Sequence, residues 1–412
     1  MRDTMNKEQL LQEAQSYQEK LIEYRTFLHQ NVGTGFDIDT TVSFVENQLK
    51  EIGLEPQRCG KAGLVVNVGG KKEGKVFLLR ADMDGLPMQE EADVDFASKN
   101  GNMHACGHDM HTTMLLGAAR LLKEYENEIN GTVKLMFEPA EEIFEGAKDM
   151  IQAGVLKNPD VDSALMIHVM AGQPFPSGTV IVSDGGVSAP GGDFFYIRVQ
   201  GQGCHGSMPN TGVDPITVAA HIITGIQEIQ ARELALVDEA VLTIGTIHAG
   251  QAPNVIPDMV EMRGTIRTYD EEVRAYIKKR LVEISQGVAT TFRANAEVSF
   301  EKECPVLQNN QELSSCMAGY MSELLGAQKA FTQAQLLKLA GGGKLTKSAG
   351  SEDFAYISQE VPSIMLALAA GNPNQGYCFP QHHPKVKFDN DVLATGSAVY
   401  AYAAMRWLEE HM

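Results

Sequence analysis

Apolar residues recur at helical spacing near the start of the chain, at Leu10, Leu11, Tyr17, Leu21, Tyr24 and Leu28, and predict a helix over Lys7 to His29. A second helix is expected over Thr40 to Ile52, with Asp39 as a candidate cap and Gly53 as its stop. The pattern then alternates. Short apolar runs at Leu64 to Val68, Val76 to Leu79, Val133 to Phe137 and Ala164 to Ile167 read as buried strands, with helical patterns at Met110 to Tyr125 and Ala147 to Ala153. Such alternation predicts an α/β layer structure.

From about Asp193 the rhythm changes. Strand Phe194 to Val199, helix Pro215 to Arg232, strands Val241 to His248 and Met259 to Arg267, helix Glu271 to Phe292 and strand Ala296 to Phe300 follow one another. That β-α-β-β-α-β order is the ferredoxin-like split unit. Pro190-Gly191-Gly192 and Cys304-Pro305 bound it, so it reads as an insertion. A helix at Glu312 to Leu325, a strand at Ser363 to Leu368, a His382-His383-Pro384 turn and a helix at Val392 to Glu409 then resume the first style, and Gly341-Gly342-Gly343 reads as a loop. The expected division is a discontinuous catalytic domain, 1–189 and 306–412, around an inserted domain, 190–305.

Composition agrees with two domains, since 412 residues exceed the usual size of one. With 34 basic against 53 acidic residues the formal net charge is -19, which disfavours nucleic acid as a partner because phosphate binding relies on Lys and Arg. No stretch approaches the roughly 18 to 20 apolar residues of a membrane span, and the start of the chain lacks a signal-peptide pattern. A soluble, cytoplasmic protein is expected. The cysteines are scattered without a Cys-x-x-Cys pair, which argues against a zinc ribbon, a thioredoxin-type site and a disulfide framework.

The chemistry concentrates in His104-Ala105-Cys106-Gly107-His108-Asp109-Met110-His111, five metal-competent side chains in eight residues ahead of a helical pattern. Cys and neutral His both suit zinc-like ions. Further candidates follow predicted strands: Asp82 and Asp84, the pair Glu141-Glu142, and His168. In an open α/β sheet, ligands gather beyond the carboxyl ends of the strands. Cys106, His108, Glu142, His168 and one of His382 and His383 are together better explained by a two-metal site than by separate accidents. Of the two adjacent glutamates, one can bind while the other serves as a general base. Asp82 is expected to orient a metal-bound imidazole by accepting its second N–H. Arg263 and Arg267, on a predicted strand of the insertion, are candidates to pair with a substrate carboxylate.

Several segments carry a resemblance: Arg80-Ala81-Asp82-Met83-Asp84-Gly85-Leu86-Pro87, the His104 to His111 run, Pro139-Ala140-Glu141-Glu142, Asn254-Val255-Ile256-Pro257, Ser351-Glu352-Asp353-Phe354 and His382-His383-Pro384. Nearly end to end, the chain resembles the aminoacylase and carboxypeptidase family of two-metal peptidases, peptidase family M20, and within it the amidohydrolase subfamily. The resemblance implies a bimetallic α/β/α catalytic domain with an inserted dimerisation or lid domain. It implies Cys106, His108, Glu142, His168 and His382 as metal ligands, and Glu141 as general base. It further implies that His205 serves the neighbouring subunit's site and that Asn254 lies in a substrate-facing turn. Two divalent ions per subunit, zinc, manganese, cobalt or nickel, a homodimer, and an N-acyl amino acid or amide conjugate as substrate follow from it.

Four departures from the family pattern stand out: Met208-Pro209-Asn210 where Pro-His is usual, Glu138 in place of Gln, Ile143-Phe144-Glu145 in place of a glycine-rich stretch, and His29-Gln30-Asn31-Val32-Gly33 without Pro-Glu. None removes an implied ligand or the base. Two alternatives stay open, a dipeptidase of the same superfamily and a catalytically silent, metal-containing dimeric binding protein.

Overall fold

Every residue of the strand Val76–Asp82 is buried, which requires cover on both faces and places the strand inside a sheet. The computed structural model describes residues 6–339 and 350–412, so the Gly341 to Gly343 loop lies outside the described residues. Val76–Asp82 pairs in parallel with Thr132–Glu138 on one side and Ser163–Met170 on the other, and the latter pairs in parallel with Ser363–Ala369. These strands form the centre of an eight-stranded mixed sheet. Antiparallel neighbours flank it, Gly63–Gly69 and Gln57–Cys59 at one edge and Val180–Val182 towards the other, where Ala330–Thr332 adds in parallel.

The helix His108–Glu124 is buried on nearly all sides and packs against the closing helix Leu393–Glu410. Two glycines allow that approach: a Cβ on Gly117 would lie 2.2 Å from Ser397 Oγ, and one on Gly396 would lie 2.0 Å from Met114 Sδ. A polar exception within the core is Lys134, whose Nζ donates to the carbonyls of Val155, Lys157 and Pro159 at 2.8 to 2.9 Å. An ammonium has three protons, and here each finds an oxygen.

Among the described residues two compact units divide the chain, one of 6–188, 308–339 and 353–412 and the other of 189–307 and 350–352. The second unit has its own core, with Phe195, Ile197, Val199, Ile222, Met262 and Leu281 buried in it. Its strands Gly191–Gln200, Ala240–Ala249, Met259–Thr268 and Asn295–Cys304 make an antiparallel sheet in which the first strand lies between the third and the fourth. Helices Pro215–Glu228 and Glu271–Thr291 pack together and against that sheet.

Several expectations need correction. The opening helix is two, Lys7–Ser16 and Gln18–Gln30, because the Tyr17 N–H turns back to Ala14 and tightens the chain there. Asp39 is the first residue of its helix and Ile38 holds the cap position without a side-chain bond, so Asp39 acts through its charge near the helix dipole. The strand expected to end at Ile167 continues to Met170, which puts His168 inside it. Gly191 and Gly192, read as a boundary, already belong to a strand. Among the described residues no helix is long and apolar enough to cross a membrane.

Candidate metal centre

Gly107 caps the helix His108–Glu124 with φ +94°. Side chains rarely tolerate that conformation, and a Cβ there would stand 2.4 Å from Val169 Cγ2. The tight turn sets Cys106 just before the helix and His108 in its first turn. His108 Nδ1 donates to Asp84 O at 2.9 Å, and His168 Nδ1 donates to Val169 O at 2.7 Å. A carbonyl oxygen only accepts, so each ring in its neutral form carries its proton on Nδ1 and offers the lone pair of Nε2. Burial would lower the His108 imidazole, but Asp82 and Asp84 beside it raise it well above its usual range, so there a bound cation would displace the Nε2 proton.

Those lone pairs face other donors. His168 Nε2 lies 3.4 Å from Cys106 Sγ. His108 Nε2 is buried without a hydrogen-bond partner among the described residues, and stands 3.7 Å from Asp82 Oδ2, 3.8 Å from Glu141 Oε2 and 4.0 Å from Glu142 Oε1. A buried nitrogen that makes no hydrogen bond costs stability unless something occupies its lone pair.

The two glutamates occupy the short 3-10 turn Glu141–Ile143, entered through Ala140 at φ +58°. The Asp84 carboxylate accepts from Glu141 N at 3.0 Å and Glu142 N at 3.3 Å, which pins the turn by its N-terminal amides. His382, at φ +64°, is tied by its backbone N–H to Ala105 O at 3.0 Å and brings Nε2 to 3.7 Å from Glu142 Oε1. Its side chain stays 56% exposed, at the open side of the centre.

Two donor groups therefore meet at one sulfur: Cys106 with His108 and His168, and Cys106 with Glu142 and His382, each group's donor atoms within 4.8 Å of one another. Glu141 joins His108 and Glu142 in a third such group. Burial pushes the Cys106 thiol up to about 12 and the His168 imidazole down to about 3, so each resists carrying its own charge there. A divalent cation would supply the opposite charge that a Cys106 thiolate lacks, while the neutral His168 ring keeps its lone pair for such an ion, and S, N and O donors in this mixture fit one. Asp82 also accepts from Arg80 at 2.7 Å and His111 Nδ1 at 2.7 Å. Burial would raise its carboxyl, but His108, His111 and Arg80 beside it hold it well below the usual range.

Residues 78–406 match the description Peptidase family M20/M25/M40. The chain belongs to that family. It is 36% identical over 97% of its length to a Saccharolobus solfataricus protein named thermostable carboxypeptidase 2, covering 98% of it. It is 33% identical over 96% of its length to a Bacillus subtilis N-acetylcysteine deacetylase, again covering 98% of that protein. The structure resembles that of Bacillus subtilis YXEP, described as a dinuclear metal binding peptidase from M20 family, with TM-score 0.77, 30% identity, and coverage of 96% of this chain and 99% of that one. This M20 protein is a metal-dependent hydrolase of amide bonds.

In the second unit of this M20 enzyme, His205 pairs across a two-residue ladder with Val255, next to Asn254, whose carbonyl accepts from Gly206 N at 2.9 Å. His205 is exposed, and its Nδ1 accepts from Ser207 N at 3.1 Å. That bond leaves the ring proton on Nε2. Arg267 Nη1 donates to Thr265 Oγ1 at 2.6 Å and Ile266 O at 2.9 Å, and its guanidinium lies over the Phe194 ring. Arg263 lies over Tyr196.

One expected contact is absent and others were missed. The orienting bond from Asp82 to a ligand imidazole is not made, because the second N–H of His108 and of His168 goes to a backbone carbonyl, and Asp82 instead orients His111. Asp109 turns away from the centre to Arg25 and His29, each at 2.9 Å. His104 is buried with neither ring nitrogen hydrogen-bonded among the described residues. The grip of Asp84 on the glutamate turn had no sequence signal beyond its place after Asp82. Arg80 did have one, since a charge in the middle of an apolar strand needs partners, and it finds Asp82, Glu138 and Asp353 at 2.7 to 2.9 Å.

Proposed function

We propose that the chain hydrolyses the amide bond of N-acyl amino acids or related amide conjugates, using two divalent ions held by Cys106, His108, Glu142, His168 and His382. The observation that carries this reading is the meeting of two donor groups at Cys106, with a second glutamate, Glu141, beside the ligand Glu142. Two ions there would polarise the substrate carbonyl and lower the pKa of water. Zinc, manganese, cobalt and nickel all suit such donors.

Glu141 is the general base. It takes the proton of the attacking water and returns it to the departing amine, a role that usually contributes about 100- to 10,000-fold. Asp84 fixes its reach by holding the turn amides. His205, with its proton on Nε2, donates to the carbonyl oxygen as that oxygen gains charge, a contribution of about 3 to 4 kcal/mol for a well-placed donor. Arg267 offers a fork to the carboxylate of the amino acid, and Asn254 lines the substrate-facing turn.

We assign 1–189 and 306–412 to the catalytic domain and 190–305 to the insertion. The β-α-β-β-α-β order of the insertion supports a ferredoxin-like lid and dimerisation domain. In the resulting cytoplasmic homodimer His205 would serve the neighbouring subunit's centre. The relative named as a deacetylase favours acyl substrates, and the one named as a carboxypeptidase keeps peptides as the second reading.

The test loads metal-free chain with each ion and assays N-acetyl and N-benzoyl amino acids beside dipeptides. Metal-dependent acyl cleavage, lost in Glu141→Gln with ions still bound, is the expected result. Faster turnover of dipeptides would favour the dipeptidase. Uptake of about one ion per chain without cleavage of any amide would favour the silent binding protein.

A further inference from the structure

The central sheet opens between two of its parallel strands. Val76–Asp82 stays paired with Thr132–Glu138 to its last residue, where Asp82 faces Glu138, and Ser163–Met170 stays paired with Ser363–Ala369 through Met170. Between them, Val76–Asp82 and Ser163–Met170 pair only as far as Arg80 and Met166. In a parallel ladder the next N–H groups to cross would be those two residues apart, Ile167 and then Val169. Neither crosses directly. Ile167 N donates to Tyr400 Oη at 3.0 Å, and that hydroxyl donates to Arg80 O at 2.7 Å. Val169 N donates to His111 Nε2 at 2.9 Å, and His111 Nδ1 donates to Asp82 Oδ1 at 2.7 Å.

Two side chains have thus taken the place of two consecutive rungs. The first spacer is one oxygen, putting two hydrogen bonds where one of about 2.9 Å would stand. The second is a whole imidazole ring, so the gap widens towards the strand ends. Both groups are fully buried, so the backbone amides they satisfy have no water to turn to. They come from the helices His108–Glu124 and Leu393–Glu410, whose close packing through Gly117 and Gly396 sets where the spacers fall.

We propose that His111 and Tyr400 are positioning residues that wedge these strands apart and thereby seat His168 beside Cys106. His168 lies between the two wedged amides, with its own ladder bonds on the opposite side towards Ala367. Closing either rung would draw the strand towards Asp82 and carry the His168 ring with it. His111 belongs to this device rather than to the ligand set, because both of its nitrogens are already engaged.

The inference rests on the ion pair proposed above, and the test separates the two. Cobalt(II) is titrated into metal-free wild type, Tyr400→Phe, His111→Leu and His111→Gln, with binding followed by calorimetry and the cobalt–thiolate absorption by spectroscopy. Wild type that takes up no cobalt would defeat the ion-pair reading itself. The wedge predicts that Tyr400→Phe and His111→Leu bind the ion seated by His168 about 10- to 100-fold more weakly, with a shifted absorption band. It predicts that His111→Gln, whose amide can both accept from Val169 and donate to Asp82, recovers most of the loss. Wild-type affinity and an unchanged band in Tyr400→Phe would overturn it, as would a His111→Gln variant no better than His111→Leu. If His111→Leu does not fold, Tyr400→Phe decides alone, since it removes one atom and keeps the core volume.

Discussion

His29 offers a pH-dependent handle on the helix that carries His108. Its Nδ1 lies 2.9 Å from Asp109 Oδ2 and its Nε2 lies 3.0 Å from Glu90 Oε1, with the side chain almost fully buried. Burial works against the charged ring, but Asp109 and Glu90 outweigh it and raise the group from 6.5 to about 9. By linkage that difference corresponds to roughly 3 kcal/mol of stability. The sign follows from the direction: the folded state holds the proton more tightly, so the contribution is complete below pH 6.5 and is lost as pH rises through 9. Replacing His29 by Gln removes the titrating group and leaves Arg25 on Asp109. Urea unfolding of metal-free wild type and His29→Gln, compared from pH 6 to 10, should show the stability difference shrinking by roughly 3 kcal/mol across that window. Taking the difference cancels other titrating groups. A difference that stays constant, or grows with pH, would refute the reasoning.

Other consequences can be checked with single variants. Lys134→Met strips three carbonyls of their donor, the bond to Val155 O being buried and the other two part-buried, and should lower stability by about 2 to 4 kcal/mol, the gain from not burying an ammonium offsetting part of the loss; calorimetry showing an unchanged Tm would contradict this. Gly107→Ala meets both the φ of +94° and the 2.4 Å approach to Val169, so about 2 to 4 kcal/mol of destabilisation is expected, together with weaker ion binding by equilibrium dialysis. Asp84→Asn keeps one acceptor for the two turn amides, and should cost about 1 to 3 kcal/mol and lower kcat more than KM; a change in KM alone would show that the turn does not position the base.

The sequence marked the elements with strong periodicity and the residues with distinctive chemistry. The order of strands and helices in the second unit follows from long amphipathic helices such as Glu271–Thr291 and from strands of ten residues. Strands of two or three residues, Cys204–His205 or Val180–Val182, are too short to show a period, and only their partners define them. Polarity stops the apolar run at His168 and points to a strand end there, yet the sheet continues around it, the pairing with Ser363–Ala369 being backbone work that ignores side-chain type. The candidate ligands were legible as types near strand ends. Their second contacts were not, because a carbonyl such as Asp84 O or Val169 O serves as well as a carboxylate and leaves no mark in the sequence. Tyr400 was equally hidden, an aromatic in an apolar helix whose hydroxyl matters only once two strands lie beneath it.

Anomalous diffraction from crystals of the metal-loaded chain tests the account most directly. It predicts two ion peaks on either side of Cys106 Sγ, one also within coordination distance of His108 or His168 and the other of Glu142 and His382, with no peak bound by His111. A single peak, or ions that leave Cys106 uncoordinated, would contradict it.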